Sequence, residues 1–561
     1  MKHSFRQNAP DIALFDCCMG VGESGFFDRR GITEPGVLLR MMDRFGIAEA
    51  LVYDQQEVEI GRFGDNAFIL DFCRASPRLH PSVALTPPGT GELPPPREWV
   101  ASLLAQGIRA VRAWPEWHRY DFLPYCLGPL LEELQAQRMP LFVSYNGIGP
   151  GSFPWGHKPD LDHIQRTAEA YPDLPIILVH TGMLENRRLL PLLRACPNVR
   201  CDITCAAGGF PELVSAGLGS ERLLFTGEFP IFDPGLIVTW PRYADVPEQA
   251  AQRIAGENLR DLLAGVKLGR AAARPGTPRP ASGADAPPPD RVRAALLAGA
   301  PLDFLPVIDL HGHYGQCASA CARPQYDPEM MVREMDLYGV DVVVCSAITV
   351  GGAGSLKRGN DQLLEAARAA PGRILGYCVL SSNSPERNLD ELKRCYDLGL
   401  RCGVKMHRYH QPEYRITDAF LAPVMEFLNE KRLIYINHDL GADKDVIELA
   451  RRYPELTIIN GHGGAAHARI GLQHPNVYAN SCSIMAVDGV ERLVQACGPG
   501  HLTLGSDFSL FHLGWGVGPI AYAAIPESGK ADILGGNAMR IFNRADWFRT
   551  DPPASLRRWV T

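Results

Sequence analysis

The chain contains 561 residues, of which 46% are hydrophobic and 21% are charged, and it carries a formal net charge of −7 at pH 7. A chain of this length exceeds what a single hydrophobic core supports, so we expect two or more globular domains. The acidic balance provides no basic surface for nucleic acid or for anionic membranes, and we therefore expect a small molecule as the binding partner.

The N-terminal residues indicate neither secretion nor a membrane anchor. Residues 1–6 lead into polar sequence without the apolar stretch of a signal peptide, and no run of about 18 apolar residues occurs. The 15 cysteines are an odd number scattered along the chain, which is not typical of a disulfide-stabilised secreted domain. These features predict a soluble protein of the reducing cytoplasm.

The composition changes at residues 269–301, where proline, alanine and glycine dominate. Such a segment cannot bury enough apolar surface to fold by itself. We predict a linker at 269–303 between domains 1–268 and 304–561, with a short helix at 290–297. Each domain has about the size of one (β/α)₈ barrel.

The two halves resemble each other. Leu14-Phe15-Asp16 matches Val307-Ile308-Asp309, and Gly107-Ile108-Arg109 matches Gly399-Leu400-Arg401 at almost the same separation. Later matches are closer by about ten residues, which one loop insertion at 147–159 explains. Because chance similarity would not keep such a register, the pattern predicts an internal duplication.

Short apolar runs alternate with helical patterns between these matches. In the second half we expect strands at 340–344, 374–380, 403–406, 433–437 and 457–460, and helices at 360–370, 389–398, 420–429 and 444–453. Strands that alternate with helices form a parallel sheet, and a count near eight favours a closed barrel over a doubly wound sheet. The predicted fold is α/β, with two tandem (β/α)₈ TIM-type barrels joined by the Pro/Ala/Gly-rich linker.

The first strand of the second half carries two histidines. Val307-Ile308-Asp309-Leu310 runs directly into His311-Gly312-His313. Residues i and i+2 of a strand point to the same face, so both imidazoles are expected on one side of the sheet. This spacing favours a metal site over two unrelated polar residues.

Further polar residues follow later strands of the same half. His438 follows one apolar strand, His462 begins the His-Gly-Gly that follows the next, and Asp507 ends Gly505-Ser506-Asp507 after another. Ligands of a parallel barrel gather at the carboxyl ends of its strands. We therefore expect four histidines and one aspartate at one mouth of the barrel.

This combination of motifs resembles the amidohydrolase superfamily. More narrowly, it is similar to the amidohydrolase-related subgroup that includes aminocarboxymuconate-semialdehyde decarboxylase and resorcylate decarboxylases. The resemblance implies that His311, His313, His438 and Asp507 bind one divalent metal ion. It also implies that Asp507 and the non-ligand His462 carry the proton transfers. Imidazole and carboxylate ligands suit Zn²⁺, with Mn²⁺ as the alternative.

Three residues at the end of the predicted fourth strand are candidate substrate contacts. Lys405, His407 and Arg408 follow one another closely in the sequence, and an arginine would suit a substrate that carries a carboxylate. In some branches of the superfamily a carboxylated lysine at this strand bridges two metal ions. That role for Lys405 remains an alternative to a mononuclear site.

The first half has lost most of these groups in the same register. Cys18 stands at the position of His311, Gly20 at that of His313, Asn146 at that of His438, Glu228 at that of Asp507, and only His180 keeps its type. A catalytic zinc normally has three protein ligands. We expect a barrel without metal, and an altered site of Cys17 or Cys18 with His180 and Glu228 is the alternative.

The sequence predicts a metal-dependent hydrolase in which the metal activates water to attack a small, carboxylate-bearing molecule in the second barrel. One alternative is non-oxidative decarboxylation of an aromatic or enoic acid, and another is a catalytically inactive binding or scaffold protein. The two barrels are expected to pair within the chain, with further homo-oligomerisation left open. As a hypothesis, Arg112 or Arg119 of the first barrel reaches the second active site.

Overall fold

A computed structural model describes residues 12–25, 31–145, 160–180, 185–204, 206, 208–267, 290–315, 327–348, 356–408 and 412–560. The chain divides into two compact units, one within residues 9–288 and the other within residues 289–561. The predicted loop insertion at 147–159, residue Asn146 and the linker residues 269–289 lie outside the described residues.

The described residues of the first unit form nine parallel strands. They are β1 (Leu14–Val21), β2 (Ile47–Asp54), β3 (Leu79–Pro81), β4 (Val83–Ala84), β5 (Val111–Ala113), β6 (Leu141–Ser144), β7 (Ile176–Val179), β8 (Val199–Asp202) and β9 (Leu223–Leu224). β1 to β3 and β4 to β9 form two sheets, and only Ser82 separates β3 from β4. β3 and β4 therefore count as one interrupted strand, and the described part of the first barrel has eight strand positions.

Backbone hydrogen bonds close this first barrel. Cys17 of β1 donates its N–H to the carbonyl of Phe225 at 3.0 Å, and Gly20 donates to Phe229 at 2.8 Å. The helices of the unit are Pro35–Phe45, Gln55–Ile60, Ala67–Arg74, Pro96–Ala105, Pro124–Gln137, Leu161–Ala170, Asn186–Ala195, Phe210–Leu218, Trp240–Tyr243, Glu248–Gln252 and Asn258–Ala264, and a π-helical turn, Arg253–Glu257, joins the last two.

The second unit is an eight-stranded parallel sheet whose strands neighbour one another in chain order. They are β10 (Ile308–Tyr314), β11 (Val342–Ala347), β12 (Ile374–Val379), β13 (Gly403–Met406), β14 (Ile434–Asn437), β15 (Thr457–Asn460), β16 (Val477–Asn480) and β17 (Leu502–Thr503). Leu310 of β10 donates its N–H to the carbonyl of Leu504 at 3.0 Å, and Asp507 donates to His311 at 3.0 Å. The first and last strands therefore meet and close the barrel.

The helices of the second unit lie before β10, between successive strands and after β17. They are Arg291–Leu297, Pro328–Tyr338, Leu356–Ala369, Asn388–Leu398, Ala422–Glu430, Asp443–Arg452, Ala465–Ile470, Gly489–Cys497, Gly514–Tyr522, Glu527–Ala531, Asn537–Phe542 and Asp546–Thr550, with a π-helical turn at Asp532–Gly536. The predicted strands and helices agree with these bounds to within a few residues, and the predicted fold class is confirmed.

The sequence of each helix explains which face it buries. In the helix Asp443–Arg452, Val446, Leu449 and Ala450 recur at a spacing of three to four residues and are buried against the barrel. Two aspartates lie in the first turn and two arginines in the last, which complements the helix dipole at both ends. The helix Arg291–Leu297 begins at Asp290, whose side chain accepts the N–H of Arg293 and pairs with Lys530 at 2.6 Å.

A glycine is required between the two histidines of β10. The pairing of β10 with β11 shifts register between Asp309 and Gly312. A Cβ atom at Gly312 would overlap Val343 of β11 and lie 3.1 Å from the carbonyl oxygen of Phe508. Only glycine leaves room for the Val343 side chain and the Phe508 carbonyl at these distances, so it fixes where His311 and His313 stand.

None of the helices in the described part of the chain is both long enough and apolar enough to cross a membrane.

Candidate active site

The five predicted chemical groups of the second unit lie at the carboxyl end of its barrel. His311 and His313 belong to β10, His438 follows β14, His462 follows β15 and Asp507 follows β17. His311 is 1% exposed and Asp507 5%, although both are polar. Burial of polar side chains is costly unless they are paired, so these groups must satisfy one another or a ligand.

His311 is oriented by the backbone of β15. Its Nδ1 lies 2.8 Å from the carbonyl oxygen of Gly461. A carbonyl can only accept, so Nδ1 carries the proton and donates it. This leaves the lone pair of Nε2 facing the barrel mouth, where it lies 3.4 Å from Oδ1 of Asp507. A second hydrogen bond that fixes the tautomer is typical of a metal-ligating histidine.

His313 and Asp507 form the opposite side of the same cluster. Nε2 of His313 lies 3.1 Å from Oδ1 of Asp507, and its Nδ1 lies 3.1 Å from Oγ of Ser346. Ser483 donates its hydroxyl to Oδ2 of Asp507 at 3.3 Å. Asp507 itself has a positive φ of 54°, a strained conformation for a non-glycine residue, which turns its carboxylate into the mouth.

His438 and His462 stack on each other beside this pair. Their ring centroids are 3.8 Å apart, and the ring of His462 lies 4.9 Å from that of His311. Burial lowers the pKa of His462 to about 4 and, together with the nearby His462 ring, the pKa of His438 to about 2. Both imidazoles are therefore neutral at pH 7, which is the form that can coordinate a metal.

The carboxylate of Asp507 is ionised in this environment. Burial alone would raise its pKa, but the surrounding imidazoles of His462, His311 and His313 favour the charged form and hold the pKa well below its usual range. An ionised carboxylate oxygen beside imidazole nitrogens is a suitable donor set for a divalent cation.

Four donor atoms converge closely enough to share one metal ion. One ligand atom each from His311, His462, Cys482 and Asp507 lies within 4.8 Å of all the others. This group shares His311 and Asp507 with the predicted ligand set. It adds His462, for which we expected a non-ligand role, and Cys482, which we did not predict. His313 contacts Asp507 directly, and His438 joins the cluster through its stacking on His462.

The candidate substrate contacts lie at different distances from the cluster. Nζ of Lys405 is buried 2.6 Å from Nε2 of His311, and burial lowers the pKa of Lys405 to about 8. The His407 ring lies 4.1 Å from that of His438. Arg408 is farther out, because its guanidinium is 3.8 Å from Asp439 and 27% of its side chain is exposed.

Asp309 supports the cluster from below. Its Oδ1 accepts the backbone N–H of His311 at 2.8 Å, and its Oδ2 accepts the hydroxyl of Ser506. Burial raises the pKa of Asp309 to about 7. Asp309 of β10 is therefore bonded to Ser506, the residue before Asp507, and so links β10 to the segment that follows β17.

Sequence reasoning missed Cys482 and Ser346. Both could have been found by the rule that ligands gather at strand ends, since Ser346 lies near the end of β11 and Cys482 follows β16 by two residues. The sequence pattern predicts no strand at 477–480, so the thiol that follows β16 is missing from the predicted site.

The interior of the first unit contains an arginine in place of this cluster. Arg112 is 1% exposed and donates from Nε to Oγ of Ser82 at 2.7 Å and from Nη2 to the carbonyl of Cys17 at 2.6 Å. Its Nη1 lies 3.3 Å from Sγ of Cys18, the residue in register with His311. The hypothesis that Arg112 reaches the other active site is therefore wrong, because its guanidinium is held inside its own barrel. Arg119 is exposed.

His180 and Glu228 come together in the first unit, but without a set of metal donors. Nδ1 of His180 pairs with Oε2 of Glu228, and its backbone N–H donates to Asp202 at 2.7 Å. Burial raises the pKa of Glu228 to about 7 and lowers that of His180 to about 4. Among the described residues, the cluster around His311 and Asp507 is the only group suited to a metal ion, and the first unit contains none.

A parallel barrel with imidazole and carboxylate groups at the carboxyl ends of its strands defines a class of metal-dependent hydrolases and lyases. The amidohydrolase family model matches this chain twice, at residues 21–264 and at residues 308–544. Because these segments make up most of the sequence, the chain belongs to the amidohydrolase family. The resemblance to this superfamily and the predicted class of enzyme, a hydrolase or a carbon–carbon lyase, are confirmed.

The solved structures to which this chain is similar include three enzymes. They are a 5-carboxyvanillate decarboxylase from Sphingomonas paucimobilis (18% identity, 43% of this chain and 99% of that chain, TM-score 0.33), a 2,6-dihydroxybenzoate decarboxylase from Rhizobium (15%, 43% and 99%, 0.35) and a 4-oxalomesaconate hydratase from Rhodopseudomonas palustris (17%, 42% and 96%, 0.34). A search of curated proteins found no significant match.

Proposed function

We propose that the second unit is a metal-dependent hydrolase that acts on a small, carboxylate-bearing molecule. The observation that carries the proposal is the convergence of the imidazoles of His311 and His462 with the carboxylate of Asp507, which His313 also contacts, at the mouth of the barrel. The proposed ligands are His311, His313, His438 and Asp507, and the proposed ion is one Zn²⁺, with Mn²⁺ as the alternative.

The residues present fit a divalent cation. Nδ1 of His311 donates its proton to Gly461, so Nε2 carries a lone pair, which contacts Lys405 in this structure and would instead coordinate the cation. The carboxylate of Asp507 is the negative charge within reach. A bound cation supplies Lewis acidity, which polarises a substrate oxygen and makes water a better nucleophile near pH 7. The side chains of the barrel would carry out the proton transfers and bind the substrate.

Asp507 and His462 would carry the proton transfers of hydrolysis. The Asp507 carboxylate, already ionised, would accept the proton of the attacking water. His462 is neutral at pH 7, so one ring nitrogen can donate to the substrate carbonyl while the other accepts. The second ring nitrogen of His462 would then take the proton from Asp507 and pass it to the leaving group, which returns both residues to their starting protonation states.

Lys405, His407 and Arg408 would bind the substrate. The Lys405 ammonium is the buried positive charge beside His311, and His407 extends this polar surface next to His438. Arg408 is weakly paired with Asp439 at 3.8 Å, so its guanidinium can exchange that partner for a substrate carboxylate at the rim.

A second candidate function, non-oxidative decarboxylation of an aromatic or enoic acid, is favoured by Lys405. Its pKa of about 8 leaves the amine protonated at pH 7 but able to release the proton. In this reaction the C–C bond to the carboxylate breaks, carbon dioxide leaves, and the electron pair that remains on carbon takes a proton from Lys405.

We propose a non-catalytic role for the first unit. Its interior cation is the fixed guanidinium of Arg112, which takes the place of a metal ion. The first barrel would then act by pairing with the second barrel. An internal duplication, pairing of the two barrels within the chain and a location in the cytoplasm complete the proposal.

Metal analysis of the purified protein is the first test. We expect about one equivalent of metal per chain, which is lost in His311→Ala and Asp507→Ala. It should be kept in His163→Ala, a partly exposed histidine of the first unit. A panel of lactones, amides and aromatic acids is then assayed for acid release and for carbon dioxide release. Carbon dioxide without hydrolysis would replace the first candidate by the second. A metal-free wild type would contradict both and favour a scaffold.

A further inference from the structure

The thiol of Cys482 is the one donor of the cluster that the proposed function does not use. Cys482 follows β16 and is fully buried. Its Sγ lies within 4.8 Å of ligand atoms of His311, His462 and Asp507. A buried cysteine by itself is usually a small apolar side chain, but this one faces two imidazoles and a carboxylate.

The backbone around Cys482 is held by hydrogen bonds on both sides. Its N–H donates to Oδ1 of Asn480 at 3.0 Å, and its carbonyl accepts the N–H of Gly463 at 3.4 Å, directly after His462. Asn480 is itself fixed, since its Nδ2 donates to Oγ1 of Thr503 and to the carbonyl of Leu504. The thiol is therefore positioned by strands β15, β16 and β17 together.

The next residue links Cys482 to the carboxylate. Ser483 has a positive φ of 58°, and its hydroxyl donates to Oδ2 of Asp507. A strained residue that persists is held by its surroundings, and here it brings the end of β16 against Asp507. Oγ of Ser483 also lies 3.6 Å from Sγ of Cys482.

The first unit has no thiol at this position. β8 ends at Asp202 as β16 ends at Asn480, and two residues later the chain has Thr204 where the second unit has Cys482. Thr204 donates its hydroxyl to the carbonyl of Thr226, so this side chain makes a hydrogen bond to the backbone. The thiol therefore occurs in the unit that has the histidines, as a metal ligand would.

We propose that Cys482 coordinates the metal ion as a thiolate and makes the site selective for thiophilic cations. The inference rests on the proposed function, because it assumes that a cation binds at this cluster. The thiol proton leaves to solvent when the metal binds. Sulfur ligands select zinc-like ions over Mn²⁺ and Mg²⁺, which prefer oxygen. The proposal thus decides between the two metals left open above in favour of Zn²⁺.

Cobalt substitution tests this without any activity assay. Apoprotein is reconstituted with one equivalent of Co²⁺, whose visible bands report binding and whose near-ultraviolet sulfur-to-cobalt charge-transfer band reports a thiolate ligand. We expect both bands in wild type, the visible bands alone in Cys482→Ser, and both in Cys497→Ser. Cys497 is a matched control, because it is also buried in the second unit and bonds to the carbonyl of Leu493.

Each result separates this inference from the proposed function. Visible bands without a charge-transfer band in wild type would overturn coordination by Cys482 and leave the metal site intact. Absence of both bands would overturn the metal site and this inference with it. In chelator competition we also expect Cys482→Ser to weaken Zn²⁺ binding by at least about tenfold and to change Mn²⁺ binding by less than about threefold. Equal losses for the two metals would contradict the selectivity.

Discussion

Replacement of Asp16 by Asn tests the electrostatics of the first barrel. Asp16 is fully buried, and its carboxyl accepts hydrogen bonds from the N–H of Cys18 at 2.9 Å, the hydroxyl of Thr226 at 2.6 Å and the N–H of Gly227 at 2.7 Å. Burial raises its pKa from 3.8 to about 6, although these donors and the charge of Arg112 act in the opposite direction.

The sign and the size of the effect follow from this shift. An acid whose pKa is higher in the folded state stabilises the fold below its unfolded pKa of 3.8, and that stability is lost as the pH rises through about 6. A shift of about 2 units corresponds to about 3 kcal/mol, and roughly half of this loss falls between pH 5 and pH 8. Asn does not titrate. The stability of wild type relative to Asp16→Asn should therefore fall by about 1.5 kcal/mol over that range.

Amide hydrogen exchange of peptides that cover β1 measures this difference in the first unit alone. Loss of the bond from Gly227 destabilises Asp16→Asn by about 1–2 kcal/mol at every pH, and this constant offset does not affect the slope. Asp71→Asn, at an exposed position of the same unit, is the control for an Asp-to-Asn exchange outside the core. A gap between wild type and Asp16→Asn that stays constant from pH 5 to pH 8 would refute the reasoning.

Three further changes test individual contacts. Gly312→Ala should destabilise the second unit by about 1–3 kcal/mol and reduce its metal content, because the added methyl overlaps Val343, and wild-type metal content would contradict this. Lys405→Met should raise Zn²⁺ affinity about tenfold in chelator competition, since it removes a positive charge 2.6 Å from His311, and unchanged or weaker binding would refute it. Arg112→Ala should destabilise the first unit by about 3–5 kcal/mol in thermal unfolding without changing the metal content, and a loss below about 1 kcal/mol would argue against a structural guanidinium.

Much of the barrel architecture was readable from the chain because periodicity is local. Apolar runs of four to six residues alternate with amphipathic helices, and this pattern was sufficient for β11 to β15 and their helices. The candidate residues His438, His462 and Asp507 were also readable, since a parallel barrel brings every strand end to one mouth. The short strands were harder. β16 was not predicted from the sequence, and neither was the thiol of Cys482, which follows this strand by two residues.

What only the tertiary structure decided concerns contacts between residues far apart in the chain. The proton on Nδ1 of His311 depends on the carbonyl of Gly461. The enclosure of Arg112 depends on Ser82, between β3 and β4, and on Cys17 of β1. Such partners are set by the register between strands and by the closure of the barrel. The sequence alone determined which chemical groups reach the mouth, whereas barrel closure determined which of them touch.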